Sequence, residues 1–167
     1  VQKEISLKSV KTNVKLQDKR LKREWDGEQE VVKQPAIAKS GKFLVIEKTV
    51  IERFLPTEEF LKEYQGVGDM AVGGSITLYD SHGNALFEKE FPKGRAVIGG
   101  AHSAFVVSDN GTAVAVITGG KDPERENILH VYQSSGVEIL TYPKKEGEGA
   151  YPDQIMQISP NGRYLAV

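Results

Sequence analysis

One turn motif occurs twice in the same surroundings, and it limits what the chain can fold into. Val106-Val107-Ser108-Asp109-Asn110-Gly111-Thr112-Ala113-Val114-Ala115-Val116 is echoed by Gln157-Ile158-Ser159-Pro160-Asn161-Gly162-Arg163-Tyr164-Leu165-Ala166-Val167, with the two glycines 51 positions apart. Each copy reads as an apolar run, Ser-x-Asn-Gly, and a second apolar run. Asn-Gly between β-rich runs is a strong hairpin signal, because the turn needs a positive φ that Gly adopts without steric cost. A second pair interleaves with the first. Ile76-Thr77-Leu78-Tyr79-Asp80-Ser81-His82-Gly83-Asn84-Ala85-Leu86-Phe87 matches Leu129-His130-Val131-Tyr132-Gln133-Ser134-Ser135-Gly136-Val137-Glu138-Ile139-Leu140, and these glycines are 53 apart. The segment 37–46 around Gly41 is a looser third copy of the first hairpin.

A period of roughly 40–50 residues with four strands per repeat is the sequence signature of β-propeller blades. The run Ser159-Pro160-Asn161-Gly162-Arg163-Tyr164-Leu165-Ala166-Val167 resembles the Ser-Pro-Asp-Gly-(Lys/Arg)-x-Leu-Ala hairpin of WD-repeat and related bacterial propellers. Leu129 to Leu140, with its Val-Tyr-x-x-x-Gly core, resembles the next hairpin of the same blades. The resemblance covers residues 36–167. It implies an all-β chain of antiparallel, four-stranded blade-like repeats, a partial propeller. It implies no single activity, since propellers host enzymes, receptors and scaffolds. No Trp-Asp dipeptide closes a repeat, and the single tryptophan, Trp25, lies outside the repeated part. A two-sheet β-sandwich is the alternative architecture.

On this reading residues 1–35 form an N-terminal strand or arm, 36–95 a first repeat, 96–145 a second and 146–167 the start of a third. Strands are expected near 104–108, 113–118, 128–133, 137–142, 155–158 and 163–167. A short helix is expected over Pro56–Gly66, capped by Thr57, with Glu58 and Glu59 at its positive end and Gly66 as its stop. Val167 falls inside a strand, and between two and three blades do not close a ring of the usual ~4–8. The expectation is therefore a piece of a longer protein. Next come a second chain that completes the sheet, including a homo-oligomer, and then the sandwich.

Twenty-two basic against 23 acidic residues leave no global field to hold nucleic acid or an anionic membrane. No apolar stretch approaches the roughly 18–20 residues of a membrane span. With no cysteine there is no disulfide, thiolate metal site or Cys nucleophile. The lack of cysteine and of an initiator Met, with the abundance of propellers in cell envelopes, favours the periplasm or cell surface of a prokaryote.

Several segments imitate functional motifs. Gly66-Val67-Gly68-Asp69-Met70-Ala71 matches a dinucleotide fingerprint in letters, but a helix precedes it and a strand follows, so it reads as a loop. Gly119-Gly120-Lys121-Asp122 lacks the earlier glycine and later hydroxyl of a phosphate loop and reads as a turn. The carboxylates of Asp122-Pro123-Glu124-Arg125-Glu126-Asn127 fit no cation-loop spacing. His82, His102 and His130 are far apart in sequence, with no strained serine elbow, and His130 is expected on the outward face of its strand. Asn110-Gly111-Thr112 is formally a glycosylation sequon, but it coincides with the hairpin turn. Tyr132, Tyr142, Tyr151 and Tyr164 are expected to fill gaps between sheets, with hydroxyls at the surface. No metal or organic cofactor is called for.

In an up-and-down meander alternate connections share an end of the sheet. The tight turns at 108–111, 134–136 and 159–162 thus fall at one end, and the long connections 66–75, 119–127 and 143–154 at the other. Long polar loops on a rigid scaffold are where binding residues usually sit. The expected binding face comprises Asp69, Lys121, Asp122, Glu124, Arg125, Glu126, Lys144 and Tyr151. The reading that follows is a non-catalytic binding or assembly module. Its rivals are the N-terminal part of a propeller-containing hydrolase whose catalytic residues lie outside this chain, and a structural subunit of a surface assembly.

Overall fold

The computed structural model describes residues 4–18, 23–54, 58, 62, 69–92, 95–97, 105–120, 127–143 and 156–167. Five antiparallel strands form a first sheet in chain order: β1 (Val10–Asp18), β2 (Arg23–Ile37), β3 (Leu44–Phe54), β4 (Asp69–Tyr79) and β5 (Ala85–Glu90). The second sheet holds β6 (Arg95–Val97), β7 (Phe105–Val107), β8 (Ala113–Gly120), β9 (Ile128–Gln133) and β10 (Glu138–Pro143). Both β6 and β7 pair with β8, through Ala96↔Gly119 and Val106↔Ala115, so together they occupy one strand position. The sheet is thus a four-position antiparallel blade. β11 (Gln157–Ile158) and β12 (Leu165–Ala166) pair as a third, two-stranded sheet.

The turns explain why the repeat folds as it does. In the first class, Ala38 N donates to Phe43 O at 3.0 Å and Gly41 N to Ala38 O at 2.8 Å. The same pair of bonds recurs from Ser108 to Ala113 and Gly111, and from Ser159 to Tyr164 and Gly162. Gly41, Gly111 and Gly162 all have φ of 69°. In two of the three copies the side chains lock the turn. Ser108 Oγ accepts from Ala113 N at 3.0 Å and donates to Asn110 Oδ1 at 3.0 Å, and that oxygen also accepts from Thr112 N at 3.1 Å. Ser159, Asn161, Arg163 and Tyr164 repeat the pattern at 2.9, 3.1 and 2.9 Å. This is the physical content of Ser-x-Asn-Gly: hydroxyl and amide stand where they satisfy turn donors that would otherwise need water.

The second class is a three-residue hairpin. Asp80 N bonds Asn84 O and Gly83 N bonds Asp80 O, and Gln133, Val137 and Gly136 do the same. Gly83 and Gly136 have φ of 77° and 80°. A type I turn followed by a left-handed residue brings a bulge with it. Here the register slips between Leu78 and Tyr79 opposite β5, and between Glu138 and Leu140 in β10.

Strand β8 is buried on both faces, as its unbroken apolar run Ala-Val-Ala-Val-Ile predicts. Val114 and Val116 join Val45, Ile76, Leu78, Phe87, Phe91 and Tyr132 in a core between the first two sheets. Ala113, Ala115 and Ile117 join Val131 and Met156 in a second core toward the third sheet. Three sheets therefore stack in chain order around a middle one, which is not the two-layer sandwich. The fold is all-β, built of antiparallel blade-like repeats: a partial β-propeller.

The turns also touch from blade to blade. Ser40 Oγ donates to Asp109 O at 2.6 Å, and Asn110 N donates to Pro160 O at 3.1 Å. Ser40 and Asn110 each precede their turn glycine, and Asp109 and Pro160 stand two before the next. A Cβ on Gly111 would collide with the ring of Phe43; one on Gly162 would lie 2.6 Å from Thr112 Oγ1 and 3.1 Å from Ala113 Cβ.

Several expectations need correction. Within the expected N-terminal strand or arm, residues 10–18 and 23–37 form two long strands. Residues 69–75 are strand, not loop, and pair with β3. Gly119 and Gly120 belong to β8 and not to a turn, since they pair with Ala96 and Arg95. Within the expected helical insertion Glu58 and Lys62 are helical, and its remaining residues lie outside the described ones.

Gly111→Ala and Gly41→Ala separate turn strain from stacking. Gly41 has no neighbour within 4 Å of an added Cβ, so its loss should be the left-handed backbone cost of about 1–2 kcal/mol. Gly111→Ala adds the collision with Phe43 and should cost roughly twice that. Urea unfolding midpoints measure both; equal losses would mean that the turns do not carry the blade contact.

Candidate functional site

Ser134 N donates to Thr112 O at 3.1 Å, which ties the two turn classes of one blade together at one end of its strands. The connections that leave β3, β8 and β10 emerge at the opposite end. There β8 finishes at Gly120, and Pro143 of β10 pairs with Ile128 of β9. Of the expected binding residues, Asp69 is the first residue of β4 and pairs with Arg53. Lys121, Asp122, Glu124, Arg125, Glu126, Lys144 and Tyr151 lie outside the described residues, as does His102.

At the inner margin, the end of β2, β7 and β11 lie side by side. They border an open cleft of about 560 Å³. Its lining mixes apolar side chains, with Ile37, Val106, Met156 and Ile158, and a comparable polar surface to which Lys39, Asp109 and Gln157 contribute. Ile37 is 68% exposed, unusual for an isoleucine flanked by two sheets.

A polar chain crosses the second blade. Thr118 Oγ1 lies 3.0 Å from His130 Nε2, and His130 Nδ1 lies 2.6 Å from Glu138 Oε1, which also accepts from Thr141 Oγ1 at 2.7 Å. The order hydroxyl, imidazole, carboxylate is that of a nucleophilic triad. Thr118, however, has no exposed surface. Its hydroxyl meets no substrate, and the chain acts as a cross-strand brace. His130 therefore does not face outward, as its alternation suggested. It stacks on Tyr132, with centroids 6.0 Å apart and planes at 12°, and approaches Phe91 of the first repeat at 6.3 Å. Burial pushes Glu138 up, but hydrogen bonds from His130 and Thr141 and the nearby charges of His130 and Lys89 outweigh it, leaving the carboxyl below its usual range.

Sequence reasoning missed this brace because Glu138 and Thr141 are three apart and should face opposite sides of a strand. The bulge between Glu138 and Leu140 brings both onto the His130 side. The bulge was legible only through the three-residue turn that causes it.

The tyrosines divide. Tyr132 is buried between the sheets, against Phe87 at 6.0 Å. Burial, and then the charge of Glu138, holds its hydroxyl well above the usual phenol range. Tyr142 and Tyr164 are exposed rather than packed, and Tyr151 lies outside the described residues. Asn110 of the sequon spends its Oδ1 on the turn, accepting also from Thr112 Oγ1 at 2.7 Å. A further carboxyl missed from sequence is Glu47 of β3, only 2% exposed and sharing the Val45 face. Burial raises it from 4.5 to about 7, although the Thr49 hydroxyl bonded to it opposes the shift. Among the described residues no group of three or more His, Asp or Glu is placed to hold a metal ion, and no helix is long and apolar enough to cross a membrane.

No family model matches the chain, and neither does any curated protein. Among solved structures the chain is similar to a proposed 6-phosphogluconolactonase from Bacteroides fragilis, at 10% identity and a TM-score of 0.30. The match covers 81% of this chain and 47% of that one, so the chain spans about half of that structure's length. A likeness of that size bears on neither activity nor substrate.

The two perturbed carboxyls should give opposite pH signatures. Glu47 titrates higher folded than unfolded, so its cost appears as pH rises from 4.5 through 7. Glu47→Gln should change little at pH 5 and stabilise by roughly 2–3 kcal/mol at pH 8. Glu138 titrates lower folded than unfolded, so its contribution is present at neutral pH and fades as acid protonates it. Glu138→Gln should weaken the fold at pH 7 and approach wild type in acid. Urea unfolding from pH 4 to pH 8 reads both, and parallel profiles for the three proteins would refute the assignment.

Proposed function

We propose that the chain is a non-catalytic binding module of propeller type that presents its long connections to a protein partner. The single observation behind this is the division of the strand ends. Tight turns and their interlocking hydrogen bonds gather at one end, which leaves the connections 55–68, 121–127 and 144–155 at the other. In this reading 36–95, 96–145 and 146–167 are successive repeats with hairpins of WD-repeat type, and 1–35 is an arm joined to them through β2. Asp69, Lys121, Asp122, Glu124, Arg125, Glu126, Lys144 and Tyr151 then form the capture surface. Charged loops at the rim set the speed and selectivity of association more than its ultimate strength.

A photo-crosslinking residue placed at position 124 in the native cell should trap one protein partner, and the same residue at position 81, on the turn end, should not. Reversing the charges of Asp122, Glu124 and Arg125 together should abolish that product while leaving the melting temperature within about 2 °C, as expected for surface changes. Equal trapping at both ends, or a product that survives charge reversal, would sink the loop-face reading.

A further inference from the structure

The internal repeat allows each core position to be compared with its counterpart, and one pair of counterparts differs in kind. Counting from the turn glycines Gly41 and Gly111, Val45 corresponds to Ala115 and Glu47 to Ile117. Ile117 is 4% exposed and lies in the apolar core toward the third sheet, with Ala115 and Val131. Glu47 is as deeply placed, at 2% exposed, but carries a carboxyl. Among the described residues no other carboxylate, and no lysine, arginine or histidine, is buried to that degree. Its hydrogen bond among those residues comes from the Thr49 hydroxyl on its own strand. One hydroxyl is too little to stand in for the hydration of a carboxylate.

Glu47 faces the gap between the first two blades. It pairs with Ile76 and shares a face with Val45, and both belong to the core in that gap. From the second blade β6 packs against β3 and β4, and its Val97 joins the same core. Val97 pairs with Thr118, the neighbour of Ile117, so β6 stands at the level of Glu47 along the strands. The strand is lightly held. It has three residues, and two of them pair with Gly119 and Gly120, which offer no side chain to grip.

The groups around Glu47 do not offset its burial. Gln34 of β2, its cross-strand partner, is neutral. β7 and β8 face the gap with apolar side chains and Thr118. Lys89 of β5 stands over the Tyr132 ring, 5.8 Å from its centroid. His130 of β9 is engaged by Thr118 and Glu138. With these and Arg95 of β6 nearby, Glu47 is still governed by burial first and by the Thr49 hydroxyl second.

We infer that Glu47 is a proton-dependent latch between the first two blades: protonated, it lets β6 close over β3 and β4, and ionised, it draws water into the gap and β6 comes away. The latch lies within the scaffold and does not depend on the loop-face reading. Glu47 holds its proton more tightly closed than open, so opening increases as pH rises. A carboxyl titrating at about 7 when closed and 4.5 when open raises the open fraction about tenfold between pH 6 and pH 8.5.

The chain has no cysteine, so a single introduced thiol reports the opening. Ala96 of β6 is 3% exposed, and a thiol there reacts when β6 comes away. The labelling rate of Ala96→Cys, divided by that of Ser81→Cys on an exposed turn, should rise about tenfold from pH 6 to pH 8.5. With Glu47→Gln added, the ratio should stay flat. Hydrogen exchange of the unsubstituted chain, corrected for the intrinsic effect of pH, should show the same loss of protection at 95–97 while β9 and β10 keep theirs. That measurement decides the matter even where a thiol variant misfolds. A labelling ratio indifferent to pH, an equal rise with Glu47→Gln, or protection lost evenly over all strands would overturn the inference.

Discussion

The fold hangs on the amide oxygen of one turn asparagine. In each Ser-x-Asn-Gly hairpin that oxygen takes the serine hydroxyl and the backbone N–H that follows the glycine, while the glycine supplies the positive φ. The turn then has one length and one geometry, and a hairpin whose turn length is set has its strand register set. In β8 a slip of one residue would exchange Ala113, Ala115 and Ile117 with Val114, Val116 and Thr118. The two sets face different neighbours and differ in bulk, so the slip would overfill one core and leave voids in the other. A local hydrogen bond of modest worth thereby selects between global packings.

Small and large side chains are mixed within the cores between sheets. Ala38, Ala113 and Ala115 share them with Phe105 of β7, Leu78, Phe87 and Tyr132, and close packing requires that the small residues make room for the large ones opposite. The turn glycines Gly111 and Gly162 lie against the preceding turn or strand. The turn-to-turn bonds from Ser40 and Asn110 act there, where backbone atoms of neighbouring blades meet.

Legibility in sequence follows the same physics. The hairpins at 108–113, 133–137 and 159–164 could be read because their turns need residues that few other structures need, and the strands between them fell within a few residues of expectation. The weak copy at Gly41 was legible through its glycine alone, since Ala38 and Ser40 stand where the motif has serine and asparagine. The N-terminal strands were obscure: Ile5 and Leu7 share one parity and Val10, Val14 and Leu16 the other, and alternation is informative only where one face is buried. β1 and β2 are held instead by backbone pairing and by ion pairs such as Lys15–Asp26 and Arg53–Glu30, which leave no apolar signature. The brace of Thr118, His130 and Glu138 was hidden by the bulge in β10, which cancels the parity rule at the place where it would have been applied.

Function is constrained by which polar groups the fold has already used. At the turn end the serine hydroxyls, asparagine amides and several carbonyls are committed to closing turns or to joining blades. A residue changed there disturbs register or stacking before it can serve a ligand. Inside the blade, Thr118, His130 and Glu138 satisfy one another, and the buried hydroxyl of Thr118 has no route to solvent. Among the described residues, the cleft beside Ile37 keeps exposed groups that no turn or brace has claimed. The cleft is bordered by residues whose alternate positions fill the core, so its lining can vary only within the limits of packing. In the proposed reading the binding surface lies away from the turn end, where the repeated turns leave little room for a residue to change.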